Sequence, residues 1–300
     1  MKDLNKQYLV SEIVEDFISS KIIENLSNRS IKHYKENLGY FFRFKTVQYI
    51  NDYTKADISN YILYMKSLDI SDNTINTRLR TIKVLFKFAS AEYAIVLPTI
   101  KLLKVDRKVK DTHSTDELKK LLEIPSKNNF VQYRNYVMIN FFIGTGARLS
   151  SVTNVKIQDV DFSSNSITFN TSKNRESYRI PLAKHLADIL ADYIAMLPST
   201  AEYLFTKRNG TQLTNIAIQQ SLRKYAKAKG LDTNLSGIHC YRRDFATTYA
   251  KESHDYMRLQ RLLNHKDSTM SQYYVRITNE DLHDSFDEFS IFNKLNWWMI

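Results

Sequence analysis

The sequence predicts a mainly α protein of two domains with a small β-hairpin or sheet in the second. Three observations lead there. Apolar residues recur at three- and four-residue steps through most of the chain, the pattern of amphipathic helices. Only around residues 167–180 does the pattern shorten to strand-like runs. A basic run without glycine or aromatic residues, KLLKVDRKVK at 101–110, separates two helical regions. With 300 residues, 43% apolar and 25% charged, the chain is long enough for two cores.

The first region, 1–100, reads as four helices. Leu9, Val10, Ile13, Val14, Phe17 and Ile18 define one stripe, and Ile31, Tyr34, Leu38, Phe41 and Phe42 define another after a polar break at 27–30. A third helix follows Thr54, where Thr54 and Asp57 offer a cap and Ile58, Tyr61, Ile62, Met65 and Leu68 the apolar stripe. A fourth follows Ser71 and buries Ile75, Leu79, Ile82 and Phe86. Along its other face lie Asn73, Asn76, Arg80, Lys83 and Lys87. Lysine and arginine neutralise phosphates and asparagine pairs with adenine edges, so this stripe suits the DNA major groove.

The segment 101–113 reads as an extended basic linker whose Lys104, Arg107 and Lys108 can strap a phosphate backbone. Beyond it, Thr115 with Asp116 and Glu117 starts a helix, and another runs from about Phe130 to Ile143. That helix breaks at Gly144-Thr-Gly146, which presents Arg148 at the start of the next helix, where amide donors also favour an anion. Residues 167–170 and 178–180 read as a hairpin with Lys173 at its tip. Asn209-Gly210 marks a tight turn, and a helix from Thr214 to Lys229 ends at Gly230. Past Tyr274, Thr278 to Asp281 caps a final helix, and the apolar tail 286–300 suggests docking, either within the chain or on a second protomer in trans.

A net charge of +11 and a pI near 9.4 favour a polyanionic partner, nucleic acid first. No apolar run is long enough to span a membrane and no signal peptide is legible, so a cytoplasmic protein without membrane association is expected. The single cysteine, Cys240, excludes an internal disulfide or a thiolate metal cluster; it reads as a small space-filling residue, with a catalytic thiol as the other reading. No nucleotide-binding glycine loop and no metal-ligand spacing appears, so neither cofactor nor metal is expected.

The chemistry concentrates in 237–277. His239 and Arg242 are three apart, on one face of a helix that starts near His239, and can reach one anion together. His265 precedes Tyr274 by nine residues, and a phenol beside such groups is a candidate nucleophile toward phosphorus. The run HCYRRDFAT at 239–247 resembles the His-x-Leu-Arg-His-Thr-Phe-Ala-Thr signature of tyrosine recombinases of the phage-integrase type. LLNH followed by YYVR resembles their Leu-Gly-His and nucleophile-tyrosine segment. IGTGARLSSVTNVKIQDVDF (143–162) resembles their Thr-Gly-x-Arg-x-Ser-Glu box, and NTSKNRESYRIPL (170–182) their hairpin-lysine segment. The boxes lie in the family's order across most of 114–277.

The resemblance implies a SAM-like four-helix core-binding domain (1–100), the linker 101–113, a catalytic domain (114–285) and the tail 286–300. It implies site-specific cutting and rejoining of duplex DNA through a 3′-phosphotyrosine, for integration, excision or resolution, by a homo-oligomer, expected as a tetramer on paired sites. In it Tyr274 attacks phosphorus, Arg148 and Arg242 bind the non-bridging oxygens, Lys173 protonates the departing 5′ oxygen, His239 handles the tyrosine proton and His265 donates to the phosphate. The short stretch before residue 8 points to the simple type without an arm-binding domain. Ser151 stands where the family has an acid, Arg243 and Asp244 where it has His-Thr, and Asn264 where it has glycine. A type IB topoisomerase and a non-catalytic DNA-binding regulator are the alternatives.

Overall fold

The computed structural model describes residues 6–105, 112–170, 177–231 and 237–264. The chain divides into two compact units, residues 1–108 and 109–300. In the first, four helices form where the apolar stripes predict them: α1 (Val10–Ile23), α2 (Asn28–Phe44), α3 (Lys55–Ser67) and α4 (Asp72–Glu92). The starts of the last three are chemically marked. Ser27 and Ser71 accept from backbone N–H groups in the first turns of α2 and α4, and Thr54 with Asp57 closes a reciprocal capping box on α3. Such caps satisfy amides that have no intrahelical acceptor. Helix α4 packs on the other three and supplies Ile75, Leu79, Ile82, Leu85 and Phe86 to a core with Ile13, Phe17, Leu38 and Met65. Phe41 sits at the centre, its ring 4.8 Å from Tyr53 and 5.1 Å from Tyr61.

The second unit begins with α5 (Thr115–Leu121), whose cap is Ser114 rather than Thr115: Ser114 and Glu117 exchange bonds as a capping box, and Thr115 is already helical. Helix α6 (Phe130–Thr145) is buried on nearly every side, so its apolar residues form no stripe, and α8 (Lys184–Ile194), α9 (Asn215–Ala228) and α10 (Ile238–Ser253) pack around it. A short α7 (Leu149–Asn154) leads to an antiparallel sheet of β1 (Val160–Asp161), β2 (Ser166–Phe169) and β3 (Tyr178–Pro181), in that order. Ile167 pairs with Val160 on one side and Ile180 on the other, which turns these three apolar residues toward the core. The expected hairpin thus gains a third strand, too short to carry a period of its own. Thr214 caps α9, and Gly230, at φ 75°, closes it. Gly210, at φ 83°, makes the expected tight turn. Helices α8 and α11 (Tyr256–Leu262) complete the unit. Among the described residues no helix is long and apolar enough to cross a membrane.

Candidate active site

Helix α6 ends at Gly146, which takes the left-handed conformation at φ 60° and so turns the chain out of the helix. Thr145 steadies the turn, its Oγ1 donating to Phe141 O and accepting from Ala147 N. Arg148 follows as the N-cap of α7, half-buried. Its Nη2 donates to the carbonyl of Asn264 at 3.1 Å.

Arg242 approaches from α10. It is 4% exposed, and its Nη1 donates to Gly146 O while its Nη2 donates to Leu263 O at 2.8 Å. The two guanidinium groups therefore end on successive carbonyls, Leu263 and Asn264, where α11 runs out. Those carbonyls lack intrahelical donors and carry the negative end of the helix dipole, so cations are favoured there. Asn264 is itself left-handed at φ 48°. This explains the family's glycine at that position: a positive φ is required, and asparagine is among the side chains that tolerate it.

His239 lies in the first turn of α10, exposed, one helical turn before Arg242. The structure thus brings Arg148, Arg242 and His239 to one end of α10 and α11. Lys173, His265 and Tyr274 lie outside the described residues, as do Arg107, Lys108 and the tail 286–300. Ser151 points its Oγ at the Tyr178 hydroxyl, 3.4 Å away, tying α7 to β3 where the family carries an acid.

A buried cluster that sequence reading missed lies on α10 itself. Asp244, 3% exposed, takes two bonds from His113: the backbone N–H reaches Oδ1 at 3.0 Å and Nδ1 lies 2.6 Å from Oδ2. Cys240 Sγ is 3.4 Å from the same Nδ1, and the His113 and Tyr241 rings stack at 5.3 Å. Burial pushes the His113 pKa down, but the bond and charge of Asp244, with Cys240 beside it, outweigh that and push it up to about 9. His113, Cys240 and Asp244 are the group of metal-ligand types found together among the described residues. Two ligands of one tetrahedral ion would stand roughly 3.3 Å apart, given metal–ligand lengths near 2.0–2.1 Å. The 2.6 Å separation of Nδ1 and Oδ2 is that of a hydrogen bond, and no metal is assigned. No local motif betrays this cluster, because His113 lies 127 residues from Cys240 and 131 from Asp244.

On α4, Asn73, Arg80, Lys83 and Lys87 are exposed, and Lys104 is exposed beyond it. Asn76 departs from the expectation. It is 4% exposed, its Nδ2 donates to Leu103 O at 3.0 Å, and its Oδ1 accepts from Leu103 N at 2.8 Å. Both amide atoms bond a backbone peptide and the side chain is buried, so Asn76 latches the segment after α4 and is not presented to a base edge.

The model of the phage integrase family matches residues 112–281, and that of the phage integrase N-terminal SAM-like domain matches 15–93. The tyrosine recombinase XerA of Pyrococcus furiosus is 23% identical over 295 residues, covering 97% of this chain and 99% of the relative. Among solved structures, the Tn1549 transposon integrase in complex with transposon right end DNA superposes with a TM-score of 0.79 at 18% identity, covering 94% of this chain and 99% of that one. A lambda integrase tetramer bound to a Holliday junction does so with a TM-score of 0.74 at 16% identity, covering 91% and 78%. At such identities the structural likeness speaks for the fold.

Proposed function

The chain belongs to the phage integrase family, and from that premise we propose that it is a site-specific tyrosine recombinase that cuts and rejoins duplex DNA through a 3′-phosphotyrosine. Residues 1–100 act as the core-binding domain, 101–113 as the linker and 114–285 as the catalytic domain. The observation that carries the reading is the meeting of Arg148 and Arg242 at the carbonyls of Leu263 and Asn264, the residues directly before His265. Two planar, permanently charged groups held side by side suit the two non-bridging oxygens of a phosphodiester, whose charge grows as a fifth oxygen approaches.

In this reading the Tyr274 oxygen bonds to phosphorus as the bond to the 5′ oxygen breaks. His239, exposed at the site's edge, accepts the phenolic proton, and Lys173 gives one to the departing oxygen. His265 donates to the phosphate. The 5′ hydroxyl of a partner strand reverses the step, so bond energy is conserved and no nucleotide is consumed. The partners are specific duplex sites and further copies of the chain, a tetramer on paired sites, in the cytoplasm.

A nicked suicide substrate tests this. Wild-type protein should trap a covalent adduct, Tyr274→Phe should bind DNA without forming it, and Tyr273→Phe should form it. The family's nine-residue spacing from His265 selects Tyr274 over the adjacent Tyr273. Adduct from Tyr274→Phe would overturn the assignment. A plasmid carrying two sites separates recombination from topoisomerase relaxation and from mere binding.

A further inference from the structure

We infer that His113 is a positioning residue of the reaction centre: paired with Asp244, it sets the rotation of α10 and with it the places of His239 and Arg242. The inference rests on the recombinase reading. Asp244 follows Arg242 by two residues, so their side chains leave the helix about 200° apart, on opposite sides. Arg242 reaches to Gly146 and Leu263, and Asp244 to His113. Apolar packing has no direction and lets a helix turn or slide by fractions of an ångström. Two charged anchors on opposite sides remove that freedom.

The pair is poorly explained by stability alone. The side chains of His113 and Asp244 are 0% and 2% exposed, and taking two charges out of water offsets much of their attraction. The second ring nitrogen, Nε2, is buried and finds no hydrogen-bond partner, a further cost that an aliphatic side chain would not carry. The family's threonine stands where this chain has Asp244, so the acid and its histidine form a unit that the signature does not require. The groups that face His113 are Asp244, Cys240 and Tyr241 on α10 and Glu117 on α5. The carboxylate in direct contact with Nδ1 outweighs the burial of the ring, so the imidazolium is the form that the site holds.

His113 also lies close to where the second unit begins, at 109. Its backbone N–H is one of the two bonds to Asp244. The entry of the chain into this unit is therefore tied to the helix that carries two reacting groups.

The test is single-turnover cleavage of the suicide substrate at saturating DNA, read as a rate constant and an amplitude. A residue needed only for folding lowers the amplitude, the fraction of competent protein, and leaves the rate constant alone. His113→Leu leaves the Asp244 carboxylate buried without its cation and should lower the rate constant about tenfold or more, with DNA affinity within about threefold of wild type. The double variant His113→Leu with Asp244→Thr removes both charges and should be faster than His113→Leu. If His113→Leu yields no folded protein, His113→Gln, which keeps a donor and loses the charge, is held to the same criterion. A rate constant less than about threefold below wild type in the folded single variant, or a double variant no faster than the single, would overturn the inference. Absence of adduct from wild-type protein would strike the recombinase reading, and this inference with it.

Discussion

Replacing Gly146 by alanine is the sharpest perturbation of the arginine site. The residue sits at φ 60°, where a Cβ crowds the following carbonyl and costs about 1–2 kcal/mol. The new methyl would also lie 2.9 Å from Leu263 Cδ2 and inside contact distance of the Phe245 ring. Overpacking of that kind costs about 1–3 kcal/mol. Phe245 is only half-buried and can turn aside, so the lower end applies and the sum is about 2–3 kcal/mol. Gly230→Ala is the control, because its φ is 75° but a Cβ there meets nothing within 4 Å, so it bears the backbone cost alone. Urea unfolding of both variants should place Gly146→Ala below Gly230→Ala by about 1 kcal/mol or more. Gly146 O and Leu263 O also accept from Arg242, so the same methyl should slow suicide-substrate cleavage about tenfold or more in protein that remains folded. If Gly146→Ala matched Gly230→Ala in stability and wild type in rate, the turn would not be what aims Arg242.

Arg80→Ala and Lys83→Ala, both at exposed positions, should weaken DNA binding and flatten its salt dependence without changing the unfolding midpoint; a flat salt response of the wild type would rule the basic stripe out of the interface. Asn76→Ala should do the reverse, lowering stability by about 1–3 kcal/mol through the stranded Leu103 peptide while leaving the salt slope of binding intact, and a stable Asn76→Ala that loses sequence preference would return Asn76 to the DNA-reading set. The pH dependence follows from His113. Its folded pKa of about 9 lies above the ordinary 6.5, so the pair's contribution is full below about pH 6.5 and is lost as pH rises through 9. That span corresponds to about 3 kcal/mol. The gap in unfolding free energy between wild type and the His113→Leu, Asp244→Thr protein should therefore shift by up to that amount between pH 6.5 and 10, and a constant gap would exclude an ion pair.

The sequence by itself determined most of the helices and their caps, because those signals are local. Phe41, Tyr61, Leu79 and Phe86 announce buried faces by spacing, and Thr54 with Asp57 marks a helix start within four residues. Gly146 before Arg148 likewise told that the chain turns there, since a positive φ is a property of one residue. The helix α8 escaped although Leu186, Ile189, Leu190 and Tyr193 fall at its stripe spacing. Periodicity also cannot say which polar residue on a helix faces water. Asn73 and Asn76 belong to the same chemical stripe, but Leu103 arrives over only one of them, and the arriving backbone decided that Asn76 is a latch. His113 and Asp244 are the stronger case, since neither carries a local signature and their meaning arises when α10 is laid beside the start of α5. Only the tertiary structure decided that the two arginines share the end of α11. Hydrogen bonds act within about 3 Å, and the chain brings residues 116 positions apart to that distance only once its helices pack.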